Sequence, residues 1–212
     1  MASSISYGEA VAWINRFADV IAEQRQELTR LDTAIGDADH GTNMDRGMRA
    51  AIERVGAIEG DDDIGAAFKA VGMALVSKVG GAAGPLYGTL FLQMGSATAG
   101  ASELDLAGWS DALAAGLKGV ETRGKAEPGD KTMVDALMPA VEALQRAQND
   151  GAELSAALEQ SAAAARKGME DTVPLVARKG RASYLGERSA GHQDPGATSS
   201  YLLVQAAVDT FG

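Results

Sequence analysis

Apolar residues recur every three or four positions through most of the chain, and no β-rich alternation with closely spaced turn signals interrupts them. That period commits the polypeptide to helices. Ser6-Tyr-Gly-Glu9 has the capping-box pattern and leads into Val11, Ile14, Phe17, Ile21, Leu28 and Leu31, the apolar face of a first helix. A second helix is expected from about Thr42 to Val55. Asp61, Asp62 and Asp63 supply acidic first-turn residues for a third, with Ile64, Phe68, Val71, Leu75 and Val79 on one face. Pro85 suits the first turn of a fourth, running to Ala99, and a fifth covers Asp105 to Gly119. A capping signal at Thr132 and Asp135 opens a sixth helix to Gln148, which Pro139 is expected to kink or disturb. An alanine-rich seventh extends from Glu153 to Val176, with Pro174 near its end, and an eighth from Thr198 to Phe211. The reading is an all-α bundle or barrel, one domain over residues 1–212, with no internal repeat and no low-complexity linker.

Composition narrows the function. At 46% hydrophobic and 23% charged the chain suits a globular core, but aromatics are only 5%, so alanine, leucine, valine and methionine carry most of the packing. No apolar run is long enough to span a membrane, and Met-Ala-Ser-Ser-Ile-Ser has neither the basic nor the apolar region of an export leader, so a cytoplasmic protein is expected. The absence of cysteine excludes disulfides, thiolate zinc sites and a catalytic thiol. A formal net charge of −10 argues against general nucleic-acid binding, and admits a phosphorylated ligand only where metal ions or placed basic groups offset the repulsion.

Four glycine-rich gaps are longer than a bundle needs: Ile35–Gly41, Gly80–Gly84, Arg123–Lys131 and Lys179–Gly196. In the first, Asp32, Asp37 and Asp39 crowd three carboxylates into eight residues. Charges converging this way without a counter-charge repel, so a hard, oxygen-seeking cation is their natural occupant; the plain alternative is helix capping with solvated loop charge. Asp45, one turn into the next helix, is expected only to cap. Asp37-x-Asp39-x-Gly41 begins like a calcium loop but lacks the third oxygen residue, the later glycine and the distal glutamate, so magnesium with nucleotide phosphates fits better. His40, Gly41, Thr42 and Asn43 then open a helix whose free N–H groups favour an anion. A metal cage beside a phosphate cradle points to a nucleotide.

Gly80-Gly-Ala-Ala-Gly-Pro85 serves as a helix stop and restart, or lets a backbone approach a ligand. Gly119-Val-Glu-Thr-Arg-Gly-Lys125 nearly matches a phosphate-binding P-loop, but Ala126 stands where a hydroxyl should hold the metal and no strand precedes it. Arg181 and Arg188 either pair with surface acids or clamp phosphate two oxygens at a time. His40 and His192 are acids, bases or merely polar loop groups, which spacing does not separate.

Taken in order, Asp32, Gly-Asp37-Ala-Asp39-His-Gly-x-Asn43-Met, Gly-Gly-Ala-x-Gly-Pro-Leu, Gly129-Asp-Lys-Thr-Met133, Gly180-Arg-Ala-Ser-Tyr-Leu-Gly-Glu-Arg-Ser and His-x-Asp-Pro-Gly closely resemble the nucleotide-binding L-subunit family of dihydroxyacetone kinases, over essentially the whole chain. The resemblance implies an up-and-down antiparallel barrel of eight helices with ADP or ATP at one end. It implies that Asp32, Asp37 and Asp39 bind two magnesium ions that bridge to the diphosphate. It also implies that His40, Gly41, Thr42, Asn43, Gly81, Ala82, Ala83 and Gly84 meet phosphates or ribose, and that Gly124, Met133, Arg181, Asp194, Pro195 and Gly196 line the nucleotide. Ala83 replaces a serine common in the family, which removes one hydroxyl contact but no backbone donor.

On that resemblance the acceptor triose sits on a separate K subunit, and no residue of this chain is a covalent catalyst. With no K-type domain attached, the expected form is the phosphotransferase-dependent one, in which bound ADP is rephosphorylated by a multiphosphoryl M-type subunit. The alternatives are an ATP-dependent kinase subunit for dihydroxyacetone or a tetrulose, and a nucleotide-binding regulatory module.

Overall fold

A computed structural model describes residues 4–58, 60 and 62–212. Nine α-helices are described: α1 (Tyr7–Glu23), α2 (Arg25–Ile35), α3 (His40–Gly56), α4 (Ile64–Lys78), α5 (Ala83–Ala97), α6 (Leu106–Gly124), α7 (Val134–Asn149), α8 (Leu154–Asp171) and α9 (Pro195–Phe211). A 3-10 segment, Arg181–Ser189, bends at Gly186, and a two-residue antiparallel pairing joins β1 (Ile5–Ser6) to β2 (Glu103–Leu104). Helices α1, α3, α4, α5, α6, α7, α8 and α9 pack in that order, and α9 returns against α1, closing a ring of eight. Helix α2 takes no place in the ring; it packs on α3, α9 and the 3-10 segment.

The local signals explain most of the elements. Ser6 and Glu9 form the reciprocal cap at the start of α1, which holds the Glu9 carboxyl below its usual pKa. Asp135 accepts the Thr132 N–H at 2.7 Å while Thr132 Oγ1 accepts that of Val134 at 3.2 Å, ordering the start of α7. Pro139 does not break α7; it deprives the Asp135 carbonyl of its helical donor, and there α8 comes in at Gly168, where a Cβ would lie 2.0 Å from that oxygen. Helices α4 and α5 approach closely in the same way, with Gly72 against Gly88 and Gly65 against Gly95.

Several boundaries differ from the expectation. The first helix breaks at Gln24, into α1 and α2, inside a run of good helix formers that carries no glycine or proline. Helix α3 starts at His40, and α6 continues to Gly124, so Gly119–Gly124 is helical rather than a loop. Helix α8 stops at Asp171, short of Val176, and α9 begins at Pro195, capped by Asp194. Asp63 caps α4 through the Ala66 N–H rather than lying in its first turn; Asp61 is outside the described residues, as are Met1, Ala2 and Ser3 of the start. No described helix is long and apolar enough to cross a membrane.

Seven of the ten aromatics, Trp13, Phe17, Phe68, Tyr87, Phe91, Trp109 and Phe211, are buried in one core cluster. Trp13 is fully buried, stands edge-on to Trp109 and Phe68 at centroid distances of 4.9 and 5.6 Å, and donates its indole N–H to the Leu203 carbonyl at 3.1 Å. The bundle is thus a filled core, and its open space lies at one end.

Candidate metal centre

That end is where α3, α5, α7 and α9 begin. A cavity of about 390 Å³ is lined by residues at all four N-termini, by Arg123 and Gly124 at the end of α6, and by Gly180, Arg181 and Ala182. The capping residues of α3, α5 and α7 (Asp39, Ala82 and Met133) accept no hydrogen bond from their own helices through a side chain. Four helix N-termini converge on one space in a chain of net charge −10, and their dipoles favour an anion there, although Asp32 and Asp194 already accept N–H groups at the starts of α3 and α9. The wall between the helix ends is apolar, with Leu86, Val120, Met133 and Val134.

At the mouth stand the three carboxylates. Asp32 lies on the last turn of α2 and is 8% exposed, whereas Asp37 and Asp39 sit in the connection to α3. Between them Ala38 has φ 63, a left-handed conformation that costs a non-glycine residue about 1 kcal/mol. Gly36 must be glycine, since a Cβ there would fall 1.9 Å from Asp32 Oδ1. Asp32 Oδ2 accepts the N–H groups of Asp39 at 2.8 Å and His40 at 3.1 Å, so α3 is capped by a residue of the preceding helix. One oxygen from each of Asp32, Asp37 and Asp39 lies within 4.8 Å of the others. An all-oxygen donor set at that spacing fits a hard divalent cation. The cluster is not without a counter-charge, however: Arg181 Nε lies 2.8 Å from Asp37 Oδ2.

His40 turns inward, its Nε2 2.9 Å from Ser199 Oγ, and burial pushes its pKa down against the pull of Asp32 and Asp39. Ser199 Oγ lies 2.7 Å from the Tyr87 hydroxyl, which is also 2.9 Å from Ser200 Oγ, tying α3, α5 and α9 together below the carboxylates. Asp194 is buried at the cap of α9, and burial raises its pKa to about 7 although it accepts the Ala197 N–H at 2.7 Å.

Of the residues singled out in the sequence, Asp32, Asp37, Asp39, His40, Gly81, Ala82, Ala83, Gly124, Met133, Arg181, Asp194, Pro195 and Gly196 line this one cavity. Gly41, Thr42, Asn43 and Gly84 do not. Gly41 presses on the Arg25 carbonyl and Gly84 on that of Val79; Thr42 faces an outer groove, and Asn43 accepts from Arg46 beside Gly80. Asp45 does not cap; it is buried and pairs with Arg49 at 2.9 Å and Arg25 at 3.7 Å. Arg123, Lys131 and Lys179 also line the cavity and escaped the sequence reading, although they fall in the glycine-rich gaps it marked.

A ring of helices whose N-termini and carboxylates meet at one cavity is the build of a domain that holds an anion through a cation. Residues 34–209 match the DAK2 domain, and the chain belongs to that family. It is 46% identical over 202 residues to the ADP-binding subunit DhaL of the PEP-dependent dihydroxyacetone kinase of Escherichia coli (strain K12), covering 95% of this chain and 96% of that protein. It is 45% identical over 201 residues to the ADP-binding subunit DhaL of PEP-dependent dihydroxyacetone kinase 1 of Listeria innocua, covering 95% of each. The fold is that of part of the dihydroxyacetone kinase of C. freundii, solved with AMP-PNP and Mg2+: TM-score 0.67, 24% identity, 96% of this chain and 33% of that one.

Proposed function

We propose that residues 1–212 form one domain, the nucleotide-binding subunit of a phosphotransferase-dependent dihydroxyacetone kinase, working in the cytoplasm with ADP as its bound coenzyme. The observation that carries the reading is the convergence of Asp32, Asp37 and Asp39 at the mouth of a cavity into which four helix N-termini point. The 46% and 45% identical relatives, both ADP-binding subunits of PEP-dependent enzymes, support the same assignment.

Asp32, Asp37 and Asp39 would hold magnesium, two ions by the family resemblance, and the metal when bound supplies positive charge to the diphosphate oxygens. Everything else is the work of this chain. Backbone N–H groups at Ala82 and Ala83 and at Met133 receive phosphate or ribose oxygens; without a serine hydroxyl at position 83 the loop acts through its backbone. Arg181, already on Asp37, is placed to share its guanidinium with a phosphate oxygen. Leu86, Val120 and Met133 offer apolar surface to a base, with Gly124 leaving room beside them. Transfer then depends on alignment and charge neutralisation rather than on a covalent intermediate in this chain. Dihydroxyacetone is held by a separate K subunit and the phosphoryl group comes from an M-type donor protein. The charge of −10 leaves no role for nucleic acid.

A second reading, ATP as an exchanging substrate, is favoured by the fold shared with a kinase solved with AMP-PNP. Mass analysis of the small molecules released on denaturing freshly purified protein separates the two. Retained ADP, converted to ATP by phosphorylated M-type protein and discharged to dihydroxyacetone on the K subunit, is the expected result. No retained nucleotide, together with turnover on free ATP plus the K subunit, overturns it in favour of the second.

A further inference from the structure

Lys131 is the least exposed charged side chain among the described residues, at 1%. None of its hydrogen bonds goes to a carboxylate. Its ammonium donates to the backbone carbonyls of Thr172 at 2.8 Å and Leu175 at 3.1 Å, to that of His192, and at longer range to that of Val173 at 3.4 Å. The first two follow the end of α8, where a cation meets the negative end of the helix dipole, and Asp194 acts on Lys131 electrostatically from the start of α9. Burial holds the ammonium below the usual lysine pKa while Asp194 pulls it up.

The backbone at Lys131 has φ 63, which glycine adopts freely and lysine does not; Gly129, two residues earlier, shows the unstrained solution at φ 87. A turn alone would be better served by glycine. Around the ammonium, three chain segments are cross-tied by two backbone bonds, Arg178 N–H to the Asp130 carbonyl at 3.1 Å and Gly191 N–H to the Val173 carbonyl at 2.8 Å, and by a side chain, Asp194 N–H donating to Thr172 Oγ1 at 3.1 Å.

We propose that Lys131 is a positioning residue for the nucleotide: its ammonium is a built-in monovalent cation that clamps the 172–175 backbone and His192 to the start of α7, fixing the Asp194–Gly196 wall against Met133. The inference rests on the cavity being the nucleotide site. The wall is then formed before any ligand arrives, and its ordering is not charged against affinity.

Calorimetric titration of Mg-ADP into wild type, Lys131→Met and Lys131→Ala tests it, all at a temperature where each variant is folded by circular dichroism. The expected result is weaker binding by Lys131→Met, roughly ten- to a hundred-fold, the scale on which support behind a ligand-holding group acts. Methylammonium chloride should restore part of the affinity of Lys131→Ala, and choline chloride at equal ionic strength should not. Affinity unchanged in folded Lys131→Met, or no difference between the two salts, overturns the proposal and leaves Lys131 a purely structural group. Should neither variant fold, hydrogen exchange on the unliganded wild type decides: protected amides at Val173, at Leu175 and over 190–194 support the clamp, and exchange at open-loop rates contradicts it. Failure of the wild type itself to bind Mg-ADP refutes the nucleotide reading instead, whatever the exchange rates show.

Discussion

Asp32 Oδ2 accepts the backbone N–H of Asp39 at 2.8 Å, so the first carboxylate of the cluster fixes the third. A side chain at the end of α2 thereby caps α3, and the same carboxylate keeps its other oxygen toward Gly36. Local capping and metal ligation, two competing readings of these acids, are compatible in one side chain.

Asp37→Asn removes one ligand charge and the pair with Arg181. That pair is half exposed and worth less than about 1 kcal/mol, so helix content and melting should stay near wild type. Magnesium affinity and retained ADP should fall by at least about ten-fold, since losing even an outer-shell support costs that much. Circular dichroism beside equilibrium dialysis makes the comparison; undiminished retention in the variant refutes the ligand role.

Gly41→Ala should damage the site through packing. Its Cβ would lie 2.1 Å from the Arg25 carbonyl, so α2 and α3 must part. Overpacking of this kind costs about 1–3 kcal/mol, readable by urea denaturation, and moving Asp32 off the start of α3 should weaken magnesium binding as well. A variant as stable as wild type would mean that α2 is free to shift.

Asp194 binds its proton more tightly in the folded chain than in the unfolded one, with a pKa raised from 3.8 to about 7 by burial. Its contribution to stability is complete below about pH 4, declines as the pH rises to about 7 and is level above that. Asp194→Asn keeps an oxygen for the Ala197 N–H but cannot titrate. The stability of the asparagine variant relative to wild type should therefore rise between pH 4 and 7, followed by urea denaturation; a constant difference contradicts the buried, protonatable state.

The sequence made the helical content, the eight ring members and the three carboxylates legible because each rests on local signals: apolar period, capping pairs such as Ser6–Glu9, and short spacing. The break at Gln24 was not legible, since residues 23–27 are all good helix formers and the turn is imposed by packing of α2 on α3 and α9. Nor were the Arg181–Asp37 pair, separated by most of the chain, or the burial of Lys131, whose partners are backbone carbonyls that any sequence would supply. Asp45 shows the converse, a helix-start acid whose real partners are arginines one turn later and on another helix.

Ligand bound only by the folded chain stabilises it by mass action. Mg-ADP at a hundred times its dissociation constant should add about 2.7 kcal/mol to unfolding, seen as a rise in Tm. A flat Tm across saturating Mg-ADP counts against the cavity as the nucleotide site.

The claim that the carboxylates hold the nucleotide through a divalent cation is tested most directly by calorimetric titration of ADP into nucleotide-stripped protein, with magnesium and again with excess EDTA. Saturable binding that needs magnesium in the wild type, and is lost in Asp37→Asn even with magnesium, is the predicted result. Equal affinity in magnesium and EDTA would contradict it.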